Sequence, residues 1–201
     1  MCPVDLRDPA GGTASRGPSF LYIAPCAYED LLKLGFSRDP LERLRSLHPR
    51  FHEVFDLDRT MLVGTETVRD ARALELKLRR RLVEYNAPAP LVMRAEAGGG
   101  TEWYRGAYGV LEDAVAGFAT EGYPVHRSAG AWMRHALEQR APLLYSWTQS
   151  RLSVDELDGT GSEPVARRVV LDTLDSFAAL GIDLEPWLSP DVMAWYRRLG
   201  R

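Results

Sequence analysis

The sequence predicts an α+β protein with a small, largely antiparallel sheet and a mostly helical C-terminal region. Two strand-like segments, residues 19–24 and 31–36, are close enough in the chain to form a hairpin. Helical periodicity begins soon afterwards and is interrupted by one further strand-like segment, residues 60–65. The order strand, strand, helix, strand, helix, followed by helices, is typical of an α+β core.

The second strand-like segment, LLKLGF, alternates in character along its length. Leu32 and Leu34 occupy every second position, so Lys33 is expected on the opposite face of the strand. Residues 25–30 are predicted to form the hairpin loop. A last short strand is predicted at residues 101–104 (TEWY), after a glycine-rich stretch at residues 98–100 that is expected to be mobile.

Capping residues locate the predicted helices. Asp39 can cap a helix that begins at Pro40, a residue well suited to the first helical position. Thr67 and Asp70 resemble a capping box, which opens a helix to about residue 85. Further helices are predicted over residues 110–120, 129–139 and 163–180, and from Ser189 onwards.

Length and composition fit an ordinary globular protein. The chain has 201 residues, enough for one domain and a small second one. No apolar run approaches the ~20 residues of a membrane span, and the N-terminus shows no secretory signal. The two cysteines, Cys2 and Cys26, are too few for a disulfide scaffold or a structural zinc site. These features predict a cytoplasmic protein that is not associated with membranes.

Charge is unevenly distributed along the chain. The net charge is −3, which argues against nucleic-acid binding by bulk charge. Residues 31–94 nevertheless contain 13 Lys/Arg against 9 Asp/Glu, whereas residues 95–201 contain 10 against 15. The basic part is dominated by arginine, which makes bidentate contacts to phosphate. The alternative explanation is a coding bias toward arginine.

Four residues in the first half of the chain could together serve phosphodiester cleavage: Tyr22, Lys33, Arg43 and Glu75. A tyrosine can take part in proton transfer when a neighbouring cation lowers its pKa, and arginine can clamp a phosphate oxygen. A lone glutamate with water ligands suits Mg²⁺. Each residue also has an ordinary explanation: a packed tyrosine, a solvated cation, or a glutamate paired with an arginine one turn away.

The spacing of these residues resembles the GIY-YIG nuclease superfamily. FLY ends at Tyr22, KLG begins at Lys33 after ten intervening residues, and Arg43 lies eight residues beyond that glycine. LLKLGFSRDPLERLRSL is similar to the K-I-G-x-S/T-x-x-x-x-x-R-L segment of the branch that has K-I-G in place of Y-I-G. ARALELKL, which contains Glu75, resembles its A-x-x-L-E-x-x-L helix, and TEWY resembles its closing E-W-F/Y strand. The resemblance covers roughly residues 19–108.

The resemblance implies a fold and a set of site residues. The implied fold is a small three-stranded antiparallel sheet flanked by helices. Tyr22 is implied as a member of the catalytic pair and Arg43 as the phosphate-binding arginine. Glu75 is implied as the ligand of a single Mg²⁺ or Mn²⁺ ion.

Three positions depart from the family pattern. Lys33 stands where the second tyrosine is expected, and it could lower the pKa of Tyr22 or bind phosphate. A His found four residues after the arginine in some members is Leu47 here. The family's downstream Asn has no secure match, and Asn86, eleven residues after Glu75, is a candidate.

Arginines around the first two predicted helices could follow a phosphate backbone. Arg38 and Arg45 lie near the first helix, and Arg72 and Arg79 lie on the second. Together with Asn86 they are predicted as nucleic-acid contacts. The alternative is a solvated basic face with no bound partner.

Three segments are predicted: a flexible segment over residues 1–18, a GIY-YIG-like nuclease domain over 19–126 and a helical region over 127–201. The acidic balance of the helical region favours a protein partner or a homodimer over a second DNA-binding surface. The predicted function is a metal-dependent endonuclease that hydrolyses phosphodiester bonds in DNA. The alternatives are a catalytically inactive module that binds DNA or a protein, and a scaffold recruited to a different reaction.

Overall fold

The computed structural model describes residues 16–93, 100–159 and 163–199 and has a mixed α+β architecture, as predicted. Its strands are β1 Arg16–Pro25, β2 Leu31–Ser37, β3 Met61–Thr67, β4 Trp103–Arg105 and β5 Val125–His126. Among the described residues, these strands form one sheet in the order β4-β2-β1-β3-β5. Every neighbouring pair is antiparallel, which confirms the antiparallel character of the sheet.

The predicted three-stranded sheet is wrong in size, because five strands are present in the described part of the chain. β1 and β2 form the predicted hairpin, and β3 pairs with the other side of β1. β4 and β5 extend the two edges of this sheet. β4 overlaps the predicted TEWY segment and extends one residue beyond it, whereas β5 has two residues and is too short to show an alternating pattern.

The first long helices begin where their capping residues predict. α1, Pro40–Leu47, begins after Asp39, whose carboxylate accepts a hydrogen bond from a first-turn amide at 3.1 Å. A short helix that was not predicted, α2, spans Phe51–Val54. α3, Val68–Arg81, begins after Thr67, whose hydroxyl accepts from a first-turn amide at 3.1 Å. α3 ends earlier than predicted, and a 3₁₀ turn follows it.

The rest of the described chain is mainly helical, as predicted. The last helix is capped by Ser189. Two helices in the middle of this region were not predicted individually because they are short and lack a clear amphipathic stripe. The helices are α4 Tyr108–Thr120, α5 Ala129–Glu138, α6 Leu144–Arg151, α7 Val154–Asp158, α8 Pro164–Ala179 and α9 Pro190–Arg198.

The sheet separates two clusters of buried side chains. Tyr22 packs in a cluster that also contains Leu41 of α1, Leu174 of α8 and Trp195 of α9. Leu21, which points to the other face, packs with side chains of α3 and α4. The sheet and the C-terminal helices therefore share a core, and the boundary predicted between residues 126 and 127 stays a prediction.

The ends of the predicted segments do not all coincide with described structure. β1 begins at Arg16, so the strand starts earlier than predicted, while residues 1–15 of the segment predicted as flexible lie outside the described residues. Gly98 and Gly99 of the predicted mobile loop also lie outside them. In the part of the chain that the structure describes, no helix is long and apolar enough to cross a membrane.

Candidate active site

A pocket of about 370 Å³ lies beside β2, next to the point where β4 stops pairing with it. The register between the two strands runs from Leu31 to Lys33, and the residues that follow, 34–36, form part of the pocket wall. α1 and α3 supply further side chains. All four predicted catalytic residues line the pocket: Tyr22, Lys33, Arg43 and Glu75. Two of the arginines predicted to contact nucleic acid, Arg72 and Arg79, line it as well.

Tyr22 and Arg43 contact each other in this pocket. Arg43 Nε, on α1, donates a hydrogen bond to the hydroxyl oxygen of Tyr22 at 3.4 Å. Tyr22 is 1% exposed, and burial raises its pKa, an effect that Arg43 only partly opposes. The lowered pKa suggested for Tyr22 is therefore not found. Its phenol is protonated at neutral pH, and Arg43 is the cation that donates a hydrogen bond to it.

Lys33 is paired with a carboxylate that the sequence prediction did not include. Its ammonium group donates hydrogen bonds to the carbonyl oxygen of Thr101 and to Glu102 Oε2, the second at 3.1 Å. The Lys33 side chain is 1% exposed, and burial lowers its pKa while Glu102 opposes that shift. The ammonium also lies 5.8 Å from the ring centroid of Trp103. Lys33 is thus held by the residues that lead into β4.

Glu102 connects Lys33 to a second cation. Its Oε1 atom lies 3.2 Å from Nη1 of Arg79 on α3. Burial acts to raise the pKa of Glu102, but hydrogen bonds from Thr101 and Lys33, together with the charges of Lys33 and Arg79, outweigh it, so this pKa lies below its ordinary value. The sequence showed Glu102 only as part of the TEWY segment. Its role could not be predicted, because both cations lie far from it in the chain.

Glu75 lies on α3, one turn before Arg79. It is 7% exposed, and among the described residues no hydrogen bond or ion pair engages its carboxylate. Burial, and next the charge of Glu102, raise the pKa of Glu75 against the opposing charges of Arg79 and Lys33. The ordinary explanation, in which Glu75 pairs with Arg72 or Arg79, is therefore not the arrangement found among the described residues. Glu75 is a desolvated carboxylate that a bound cation would stabilise.

These properties of Glu75 fit the predicted Mg²⁺ or Mn²⁺ ligand. Mg²⁺ keeps several water molecules and is usually bound through one or two carboxylates together with substrate phosphates. Within the described residues, no group of three or more His, Cys, Asp or Glu side chains is arranged to hold a metal ion. An ion at this site would therefore depend on Glu75, water and substrate oxygens.

Three of the predicted nucleic-acid contacts do not line this pocket. Arg45 donates a hydrogen bond to a threonine hydroxyl of α8 at 3.2 Å. Arg43 and Arg45 are two positions apart on α1, so their side chains point in nearly opposite directions. The amide of Asn86 donates to a backbone carbonyl three residues earlier at 2.9 Å. Arg38 is exposed and lies outside the pocket lining.

Comparison with known proteins gives one match. Residues 19–119 match the family model described as the T5orf172 domain. The matched segment contains every residue that lines the pocket. A search of curated proteins and a search of solved structures found no match.

Proposed function

The chain belongs to the T5orf172 domain family, and we propose that it is a metal-dependent endonuclease that hydrolyses phosphodiester bonds in DNA. The T5orf172 domain occurs in endonuclease-like proteins, which supports nuclease action or DNA binding without specifying a reaction. The observation that carries the proposal is the convergence of Tyr22, Lys33, Arg43 and Glu75 on one pocket. The same convergence, with the motif spacing, supports a GIY-YIG type of active site.

The charge of the pocket suits a phosphate group. Its lining combines four cationic side chains with two carboxylates, so positive charge is in excess. Arg72 and Arg79 are exposed and can meet an approaching nucleic-acid backbone, to which arginine binds through parallel hydrogen bonds. The cations are Lys33, Arg43, Arg72 and Arg79, and the carboxylates are Glu75 and Glu102.

From these contacts we infer a role for each of three residues. Arg43 binds a phosphate oxygen while it keeps its hydrogen bond to Tyr22. Since burial keeps the phenol protonated, Tyr22 Oη accepts from Arg43 and donates its own proton in a hydrogen bond to a phosphoryl oxygen or to the attacking water. Glu75 would hold the metal ion, and bound Mg²⁺ or Mn²⁺ would supply polarisation of the phosphate and activation of water.

A cleavage assay tests the proposal. Supercoiled plasmid and oligonucleotide DNA are incubated with the protein and Mg²⁺ or Mn²⁺. Glu75→Gln and Arg43→Ala are each expected to lower the cleavage rate by about 100-fold or more. Glu185→Gln and Arg134→Ala alter exposed residues that do not line the pocket and serve as matched controls with unchanged rates.

Two outcomes would contradict the proposed endonuclease activity. Cleavage that survives both Glu75→Gln and Arg43→Ala arises from another site or from a contaminant. Absence of cleavage by the wild-type protein, with DNA binding that weakens as salt is added, favours the alternative of a binding module.

A further inference from the structure

Glu102 bridges two cations of the active site with a single carboxylate. Oε2 lies 3.1 Å from Lys33 Nζ, and Oε1 lies 3.2 Å from Arg79 Nη1. Each carboxylate oxygen is therefore committed to one cation. The charges of the same two cations also act on Glu75, the carboxylate assigned to the metal ion.

The backbone fixes Glu102 in this bridging position. Its carbonyl oxygen accepts a hydrogen bond from the amide of Leu34 at 3.1 Å, and the preceding carbonyl, of Thr101, accepts one from Lys33. Glu102 has a φ of 59°, a left-handed conformation that residues other than glycine rarely adopt. An unfavourable conformation is maintained when surrounding contacts determine it. Here the contacts are those to β2, Lys33 and Arg79.

The positions of Glu75 and Arg79 on α3 show what the bridge through Glu102 prevents. Arg79 follows Glu75 by four residues, the separation at which a glutamate and an arginine ordinarily pair on a helix. In the structure Arg79 instead pairs with Glu102. We propose that Glu102 is a positioning residue that holds Arg79 away from Glu75 and so keeps the Glu75 carboxylate available to a divalent cation. The inference rests on the proposed metal-binding role of Glu75.

Direct measurement of Mn²⁺ binding tests this inference without any assay of cleavage. Full-length protein is titrated with Mn²⁺ in the absence of DNA, and free Mn²⁺ is measured by electron paramagnetic resonance. Glu102→Gln keeps the side-chain length but removes the charge, which releases Arg79 to pair with Glu75. The dissociation constant for Mn²⁺ is expected to rise about 10-fold, the range found when a residue supporting a metal ligand is changed.

A second substitution distinguishes the positioning role of Glu102 from the simple loss of its negative charge. Adding Arg79→Gln to Glu102→Gln removes the competing arginine and is expected to restore most of the Mn²⁺ affinity. Adding Arg72→Gln instead restores the same net charge in the same pocket but leaves Arg79 free, so affinity is expected to stay low. If both double variants recover, or neither does, the inference is overturned. Recovery of Mn²⁺ affinity in both double variants would indicate a bulk electrostatic effect. Recovery in neither would indicate that Glu102 is itself a metal ligand or that its substitution disturbs folding.

Two further measurements keep the result interpretable. Glu75→Gln is expected to abolish Mn²⁺ binding; if it does not, the metal role of Glu75 fails, and the inference fails with it. If Glu75→Gln does abolish binding but Glu102→Gln binds Mn²⁺ as tightly as wild type, the inference alone fails. Should Glu102→Gln not fold, Glu102→Asp, which is too short to reach both cations, is expected to weaken binding in the same direction.

Discussion

The phenol of Tyr22 lies directly against the backbone of Gly35. A Cβ atom built on Gly35 would come within 2.5 Å of the Tyr22 hydroxyl oxygen and 2.7 Å of its Cζ atom. The two residues are register partners in the β1–β2 hairpin, so the tyrosine ring crosses the neighbouring strand. The glycine of the KLG tripeptide is therefore required by the position of the candidate catalytic hydroxyl.

Gly35→Ala is expected to displace Tyr22 and lower both stability and activity. The added methyl group overlaps buried ring atoms, and overpacking of this kind costs about 1–3 kcal/mol in free energy of unfolding. Chemical denaturation and the plasmid cleavage assay measure the two effects. Gly117→Ala is the control: it lies in α4 with no atom within 4 Å of the added Cβ, and is expected to stabilise by roughly 0.5–1 kcal/mol. Equal stability of Gly35→Ala and wild type would contradict the close contact.

Glu75→Gln is expected to stabilise the protein at neutral pH when EDTA removes divalent ions. Burial raises the pKa of Glu75 above its ordinary value of 4.5, so the folded protein favours the protonated form. The contribution of the Glu75 carboxyl group to the free energy of unfolding is present below pH 4.5 and is lost as pH rises through the folded-state pKa. The difference in free energy of unfolding between variant and wild type should therefore grow from pH 4 to pH 7. A difference that shrinks over this range would contradict the desolvated carboxylate.

Asp175→Ala is expected to weaken the contacts that α8 makes with Arg50, just before α2, and with α9. Asp175 is 7% exposed, accepts a hydrogen bond from the Tyr196 hydroxyl at 2.9 Å and pairs with Arg50 at 2.9 Å. Removing one partner of a buried pair typically costs about 3–5 kcal/mol, and the partial exposure of Arg50 puts the expected loss near the lower value.

Urea denaturation measures this loss directly. The control is Glu138→Ala, which breaks an exposed pair with Arg134 on α5 and is expected to cost less than about 1 kcal/mol. Comparable losses in the two variants would show that the Asp175 contacts contribute no more than a surface ion pair.

Cys26 is expected to be unreactive in the folded protein. It is buried, and burial, with a smaller effect of Glu29, raises its thiol pKa to about 11. At pH 8 the thiolate that reacts with iodoacetamide is therefore scarce, and labelling should be at least about 10-fold slower than in denaturant. Because the folded pKa is raised, the stability that this thiol contributes is present below about pH 9 and is lost as pH rises toward 11.

Peptide-resolved mass spectrometry distinguishes labelling of Cys26 from labelling of Cys2. Rapid modification of Cys26 in the folded protein, at a rate close to that in denaturant, would be inconsistent with its burial.

Local features of this protein could be predicted from the sequence. Asp39 and Thr67 located the starts of α1 and α3 because capping involves residues three positions apart. The motif spacing also identified residues that line one pocket, since it reflects the lengths of the strands and helices that carry them. β5 was missed because two residues show no periodicity, and its pairing with β3 depends on a distant part of the chain.

The sequence alone thus determined the α+β class, the hairpin, the main helix starts and the group formed by Tyr22, Lys33, Arg43 and Glu75. Only the tertiary structure decided how the charges pair. Arg79 could pair with Glu75 one turn away or with Glu102 from another part of the chain, and helical spacing favours the first. The fold brings Glu102 to Lys33 and Arg79 together. The pairing partner of an arginine depends on which carboxylates reach it in space, and that is set by packing rather than by position along the chain.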